Sequence, residues 1–91
     1  MATGTDGTVL GVAAGGVPVP GEGEIYALAV APGARLGGVG SALLAEAGRR
    51  MRSFGATEQR VTLPSERDPA LPFYLRSGFA PLDPTRLHRA F

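Results

Sequence analysis

The residues best placed to do chemistry stand in one turn, Arg35-Leu36-Gly37-Gly38-Val39-Gly40, with Ser41 after it. An apolar run, Ile25 to Val30, leads in, and an amphipathic run, Val39 to Phe54, leads out. A strand that breaks at glycines and opens a helix aims several backbone N–H groups at one spot, where the helix dipole adds positive character. Such a turn favours an anion, usually phosphate. Three loop patterns compete for it. A Walker-type loop ends in Gly-Lys-Ser/Thr, and Gly40-Ser41 lacks the lysine. A dinucleotide fingerprint needs Gly-x-Gly-x-x-Gly and an acidic residue roughly 20 positions on, a role Glu58 fills only loosely. The glycines at 37, 38 and 40 do not give that spacing. The third pattern, Arg/Gln-x-x-Gly-x-Gly/Ala, is satisfied by Arg35, Gly38 and Gly40.

Composition narrows the remaining chemistry. The 91 residues hold one small domain, 44 % apolar and therefore globular in type. No cysteine is present, which removes a disulfide framework and a thiol nucleophile and fits a reducing, cytoplasmic setting. A single histidine, His88, argues against a zinc site, and it carries no assigned role. A net charge of +1 gives no reason to expect nucleic acid or an anionic membrane as partner. No apolar run approaches the roughly 20 residues of a membrane span, and the N-terminus has no signal-peptide pattern.

The positioning elements follow from periodicity. Residues 1–7 read as a frayed end, and Thr8 to Ala14 as a short strand. Gly15 to Gly23, rich in glycine and proline, reads as a loop or wide hairpin connection. Glu24 to Val30 is the strongest strand, apolar on both faces as if covered on both sides. Val39, Leu43, Ala47 and Met51 recur at helical spacing, and Leu44 and Phe54 widen the stripe. Arg49, Arg50 and Arg52 suit the helix's negative end, and Gly55 suits its stop. Arg60 to Leu63 reads as a strand, which completes a βαβ unit with parallel neighbours. Asp68 and Pro69 are predicted as N-cap and first residue of a second helix ending at Ser77-Gly78. Phe79 to Leu82 and Leu87 to Phe91 are candidate short strands joined across Asp83-Pro84. The expected class is α/β, an α+β arrangement with a mixed sheet.

Two segments resemble a known family. Ile25 through Leu44 is similar to motif A of the GNAT superfamily of acyl-CoA N-acyltransferases, and Phe73-Tyr74-Leu75-Arg76-Ser77-Gly78-Phe79 to its motif B, Phe-Tyr-x-x-x-Gly-Phe. The resemblance covers residues 8–91. It implies a full domain that begins with a strand, two helices and another strand before Thr8, so this chain resembles the C-terminal half to two thirds of that domain.

The resemblance implies specific roles. Backbone N–H groups from Leu36, Gly37, Gly38, Val39, Gly40 and Ser41, with Arg35 beside them, would cradle the pyrophosphate of coenzyme A. Gly38 and Gly40 would let the backbone approach closely. Backbone groups of Leu28 and Val30 would bind the pantetheine arm, in a V where the Ile25 strand splays from the Arg60 strand. Glu24, with Glu22 the weaker candidate, would take a proton from an incoming ammonium. Tyr74 would protonate the leaving thiolate. Arg67 stands where the family often has an asparagine, and could still donate to the cofactor arm. Leu36, often glycine in the family, is a second departure. The implied activity is transfer of an acetyl or other acyl group from acetyl-CoA to a primary amine of a small molecule or peptide, without metal and without a covalent enzyme intermediate. Two alternatives stand beside it. One is a coenzyme A-binding module or remnant without a complete acceptor site, acting through dimerisation. The other is a structural domain without ligand. The strand at Thr8 is expected to be a free edge that pairs two copies into a homodimer.

Overall fold

Around a six-stranded mixed sheet, the computed structural model describes residues 2–3, 9–31 and 38–91. The elements in chain order are β1 (Ala2–Thr3), β2 (Val9–Val19), β3 (Glu22–Val30), α1 (Val39–Ser53), β4 (Glu58–Thr62), α2 (Leu71–Arg76), β5 (Ala80–Pro81) and β6 (Arg86–Ala90). The sheet order is β1-β2-β3-β4-β6-β5. Among the described residues only β3 and β4 run parallel, with α1 as the crossover between them, as the βαβ pattern predicts.

The segment read as a loop, Gly15 to Gly23, is mostly strand. β2 runs on to Val19, turns through Pro20-Gly21, and returns as β3 with Val19 opposite Glu22. Proline fixes the first central position of the turn, and Gly21 takes the second at φ +84°, the combination a type II turn requires. The extra residues of this stretch are absorbed by a bulge between Gly16 and Val19. Gly15 is in the strand for want of a side chain: a Cβ there would stand 2.5 Å from the Glu24 carbonyl oxygen and 2.8 Å from the Met51 methyl. Glycine therefore lets α1 lie directly on the hairpin.

A second bulge sits on β3. Gly15 pairs with Ile25 and Ala14 with Ala27, which leaves Tyr26 as the extra residue. It inverts the alternation of side chains along the strand. Gly23 and Ile25 face the helices before it, and Leu28 and Val30 after it. Tyr26 and Ala27 are both exposed on the opposite face, Tyr26 at 61 %. The expected two-sided cover of this strand is thus corrected. Both helices pack on one face of the sheet, and the other face carries Glu22, Glu24, Tyr26, Glu58, Arg60, Thr62 and His88. The apolar reading failed because the bulge spreads one buried face over both parities.

The core lies between the sheet and the two helices. Ile25, Val61 and Leu87 meet Leu44 and Met51 of α1 and Tyr74 of α2, with Phe79 and Leu63 closing the ends. Full burial of a leucine such as Leu44 or Leu87, each 1 % exposed, contributes roughly 1.5–3 kcal/mol. The predicted helical stripe holds for Leu43, Leu44 and Met51, whereas Phe54 is the C-cap and 78 % exposed. Past it, the Ala56 N–H donates to the Met51 carbonyl and the Gly55 N–H to Arg52, a Schellman stop. α2 ends the same way at Gly78, with Phe79 N–H to Tyr74 and Gly78 N–H to Leu75. Its start differs from expectation. The N-cap is Ala70, and Asp68 acts one step earlier, its Oδ1 accepting the Ala70 N–H at 2.8 Å. Pro72 occupies the first turn, where an absent N–H costs little. β4 begins two residues earlier than predicted, where the Thr57 and Glu58 N–H groups donate to the Gly21 carbonyl. Ala2 and Thr3, read as frayed, pair with Gly11 and Val9. Among the described residues, the outer edge of β2 is therefore open only beyond Gly11.

Candidate active site

The parallel pairing of β3 with β4 starts at Glu22–Glu58 and ends at Ile25–Val61. Beyond that point β3 continues to Val30 while β4 stops at Thr62 and its successor turns away, the Leu63 N–H donating to Thr85. The two strands therefore open into a wedge. Along it, the β3 backbone from Ala27 to Val30 is paired on its β2 side and has no strand partner on the other among the described residues. Unpaired backbone N–H and C=O groups are a template for an extended, amide-bearing ligand. Leu28 and Val30 lie on this stretch with their side chains partly buried toward the helices. Core packing and backbone recognition thus coexist there.

The N-terminus of α1 stands at the mouth of the wedge. Gly38 is its N-cap, at φ +76° and with no side-chain cap, and no acidic residue sits in the first turn. The N–H groups of the first helical residues, Val39, Gly40 and Ser41, have no acceptor within the helix. Positive φ explains glycine at 38. At position 40 the requirement is packing: a Cβ would lie 3.1 Å from Cζ of Phe73 and 3.7 Å from a Val30 methyl. Gly40 thus lets α2 close against the first turn of α1 and the end of β3. Arg35, Leu36 and Gly37 lie outside the described residues.

Motif B supplies the other wall. Tyr74 is 4 % exposed, and its ring stands edge-on between Phe73 and Phe79, with centroids 5.2 and 5.3 Å away. Burial raises the phenol above its ordinary range, with the Asp68 carboxylate adding to the effect. It therefore carries its proton at neutral pH and has that proton to give. Arg67 lies in the turn after β4, exposed, with its backbone N–H on the Ser65 hydroxyl at 3.1 Å.

Glu24 projects from the opposite, helix-free face of β3, half-buried beside Thr62, whose hydroxyl donates to its Oε1 at 3.4 Å. Glu22 is an ion-pair partner of Arg60, at 3.3 Å, and Arg60 Nε donates to Glu58. Glu58 also meets the Nδ1 of His88 at 3.4 Å. The bond from Arg60, with that from His88, holds the Glu58 carboxyl below its usual range.

One buried polar group had no sequence signal as a site and proves structural. Gln59 is fully buried, its Nε2 donating to the Leu44 carbonyl at 3.3 Å and its Oε1 accepting from Arg89 at 2.9 Å. Arg89 in turn donates to the Ser77 carbonyl at the end of α2 and lies over the Phe79 ring. Its exact match in β6 to Gln59 in β4 is a cross-strand pairing that alternation alone could have paired only once the register was known. A separate cavity of about 390 Å³ lies between β2 and α1, lined among others by Gly15, Ala47, Met51 and Phe54, away from the wedge. Among the described residues no group of three His, Cys, Asp or Glu could hold a metal, and no helix is long and apolar enough to cross a membrane.

The end of the β3–β4 pairing, the N-terminus of α1 and the Phe73-Tyr74 helix thus lie together at one end of the sheet. Residues 2–79 match the model of the acetyltransferase (GNAT) family. The chain belongs to that family. Solved structures agree. A protein from Agrobacterium tumefaciens assigned as an acetyltransferase matches 99 % of this chain at 26 % identity with a TM-score of 0.74. Ard1 from Thermoplasma volcanium matches 92 % at 26 % identity and 0.75, and nourseothricin acetyltransferase 94 % at 26 % identity and 0.80. The chain spans 71 %, 64 % and 59 % of those three proteins, respectively. No curated protein matches the sequence.

Proposed function

We propose that this chain binds acetyl-CoA in the wedge and transfers the acetyl group to a primary amine of a small molecule or peptide. The observation that carries the reading is the splay of β3 from β4 beyond Ile25–Val61, ending beside an unneutralised helix N-terminus. In this reading the N–H groups of residues 36–41, with Arg35, hold the pyrophosphate, and Gly38 admits it. The β3 backbone at Leu28 and Val30 holds the pantetheine amides, and Arg67 donates to the arm. Glu24 accepts the proton of the ammonium, directly or through water, on the side of the sheet the helices leave open. The amine nitrogen then forms a bond to the acetyl carbon, the carbon–sulfur bond breaks, the thiolate takes a proton from the Tyr74 phenol, and the second proton shed by the nitrogen as the amide forms passes through water to the tyrosinate. Most of the acceleration comes from holding thioester and amine together.

Calorimetric titration with acetyl-CoA, followed by release of free thiol with a panel of primary amines, tests the reading. Binding with amine-dependent thiol release, reduced on the order of 100-fold in Glu24→Gln, is the expected result. Binding without turnover would favour a coenzyme A-binding module. No binding would overturn the cofactor assignment.

A further inference from the structure

Three carboxylates share the helix-free face of the sheet, and they are not equivalent. Glu22, Glu24 and Glu58 surround one guanidinium, that of Arg60. Arg60 is directly opposite Glu24 in the parallel register, yet its Nε goes to Glu58 and its Nη2 to Glu22. Glu58 is further held by His88 from β6. The described polar partner of Glu24 is the Thr62 hydroxyl, two residues along β4 from Arg60. The remaining groups that face it are Tyr26 on its own strand, Gly16 across the hairpin, and Arg86 opposite Thr62, which is engaged by Asp83.

We infer that Thr62 is a positioning residue for Glu24, and that the chain His88–Glu58–Arg60–Glu22 exists to keep the guanidinium off that carboxylate. The inference rests on Glu24 as the proton acceptor. A carboxylate clamped by arginine is a poor base, because the guanidinium favours its charged form. Here the arginine is held by two other carboxylates, and Glu24 keeps one neutral donor. A hydroxyl at 3.4 Å orients the carboxylate while leaving its other oxygen open to an ammonium or a water. Hydrogen bonds of this kind are often long before substrate binds and tighten in the complex.

The test reads Glu24 directly. The protein is labelled with carbon-13 at glutamate carboxyls, and the Glu24 resonance, assigned by its loss in Glu24→Gln, is compared between variants at one neutral pH. Thr62→Val is expected to shift that resonance, as the hydroxyl's hydrogen bond is lost, and Thr62→Ser to restore it. Glu58→Gln shifts it as well, because Arg60 is released toward Glu24. Turnover of an accepted amine falls about threefold in Thr62→Val, with KM for acetyl-CoA unchanged. An unmoved resonance in Thr62→Val, or in Glu58→Gln, overturns the inference. A resonance that moves as expected in a protein that acetylates no amine would instead overturn the proposed reaction and leave the positioning standing.

Discussion

Adjacent glycines in β2 make opposite demands, and alanine at each measures the difference. At Gly15 an added Cβ meets the Glu24 carbonyl oxygen at 2.5 Å and the Met51 methyl at 2.8 Å. The methionine end can swing aside. The carbonyl cannot, because it belongs to the β2–β3 hairpin backbone. At Gly16 the Cβ would meet only the Tyr26 ring, at 3.5 Å, an ordinary contact. Neither glycine has a positive φ, so both substitutions carry the same gain from a less flexible unfolded chain, about 0.4–1 kcal/mol. The overpacking at Gly15 costs about 1–3 kcal/mol against that gain. Gly15→Ala should therefore lose about 1–2 kcal/mol, and Gly16→Ala should be neutral or slightly stabilised. For a domain of this size the two melting temperatures should differ by roughly 5–15 °C. Urea unfolding of both variants, followed by circular dichroism, reads the gap. Equal midpoints, or a higher one for Gly15→Ala, would refute the claim that the approach of the Glu24 carbonyl leaves no room for a side chain at Gly15.

Gly40→Ala should lose about 1 kcal/mol through the contact with Phe73, and Phe73→Leu should recover at least half of it in a double-mutant cycle; additive losses by thermal unfolding would show that the ring is not the obstacle. Acid should destabilise the fold through Glu58 and Asp83, whose carboxyls are held below their ordinary values by Arg60 and Arg86 respectively. A lowered folded value adds stability above the unfolded one, so that stability is full at neutral pH, starts to fall near the ordinary values of 4.5 and 3.8, and is gone below the lowered folded ones. Glu58→Gln should flatten that decline, and an unchanged slope of unfolding free energy against pH would count against the pairing. The open part of the β2 edge, Val12 to Val19, carries no charge and should pair with a second copy; a monodisperse monomer in light scattering at high concentration would reject that.

What periodicity and spacing could read was α1, the parallel crossover and both motifs, since each depends on local pattern. Leu43, Leu44 and Met51 point inward as their spacing requires. What they could not read was the reason for a glycine. Gly21 and Gly38 are needed for backbone conformation, whereas Gly15 and Gly40 are needed for the absence of a side chain. The two demands are identical in sequence, so the whole stretch before Gly23 looked like a turn. The same limit hid the bulge at Tyr26. It leaves no residue-type signature, and an apolar run without it is indistinguishable from a strand covered twice. Asp68 was read as the N-cap, but its carboxylate closes a turn one step earlier, on the Ala70 N–H, and the helix starts at Leu71 with Ala70 as its N-cap. Of the candidate residues, Glu24 was legible from its place at the head of the central strand and Tyr74 from motif B, while the ion chain that surrounds Arg60 required the register of three strands.

The extra residue at Tyr26 makes one strand heritable as two modules. Positions 22, 24 and 26 stand on the open face, and positions 28 and 30 against the helices, without sharing a neighbour across the sheet. A side chain changed on the open face therefore leaves the packing against the helices untouched. Deleting that single residue would leave Ile25, Leu28 and Val30 inward in plain alternation, whereas flattening the bulge with Tyr26 in place would turn Leu28 and Val30 outward and Ala27 and Ala29 inward.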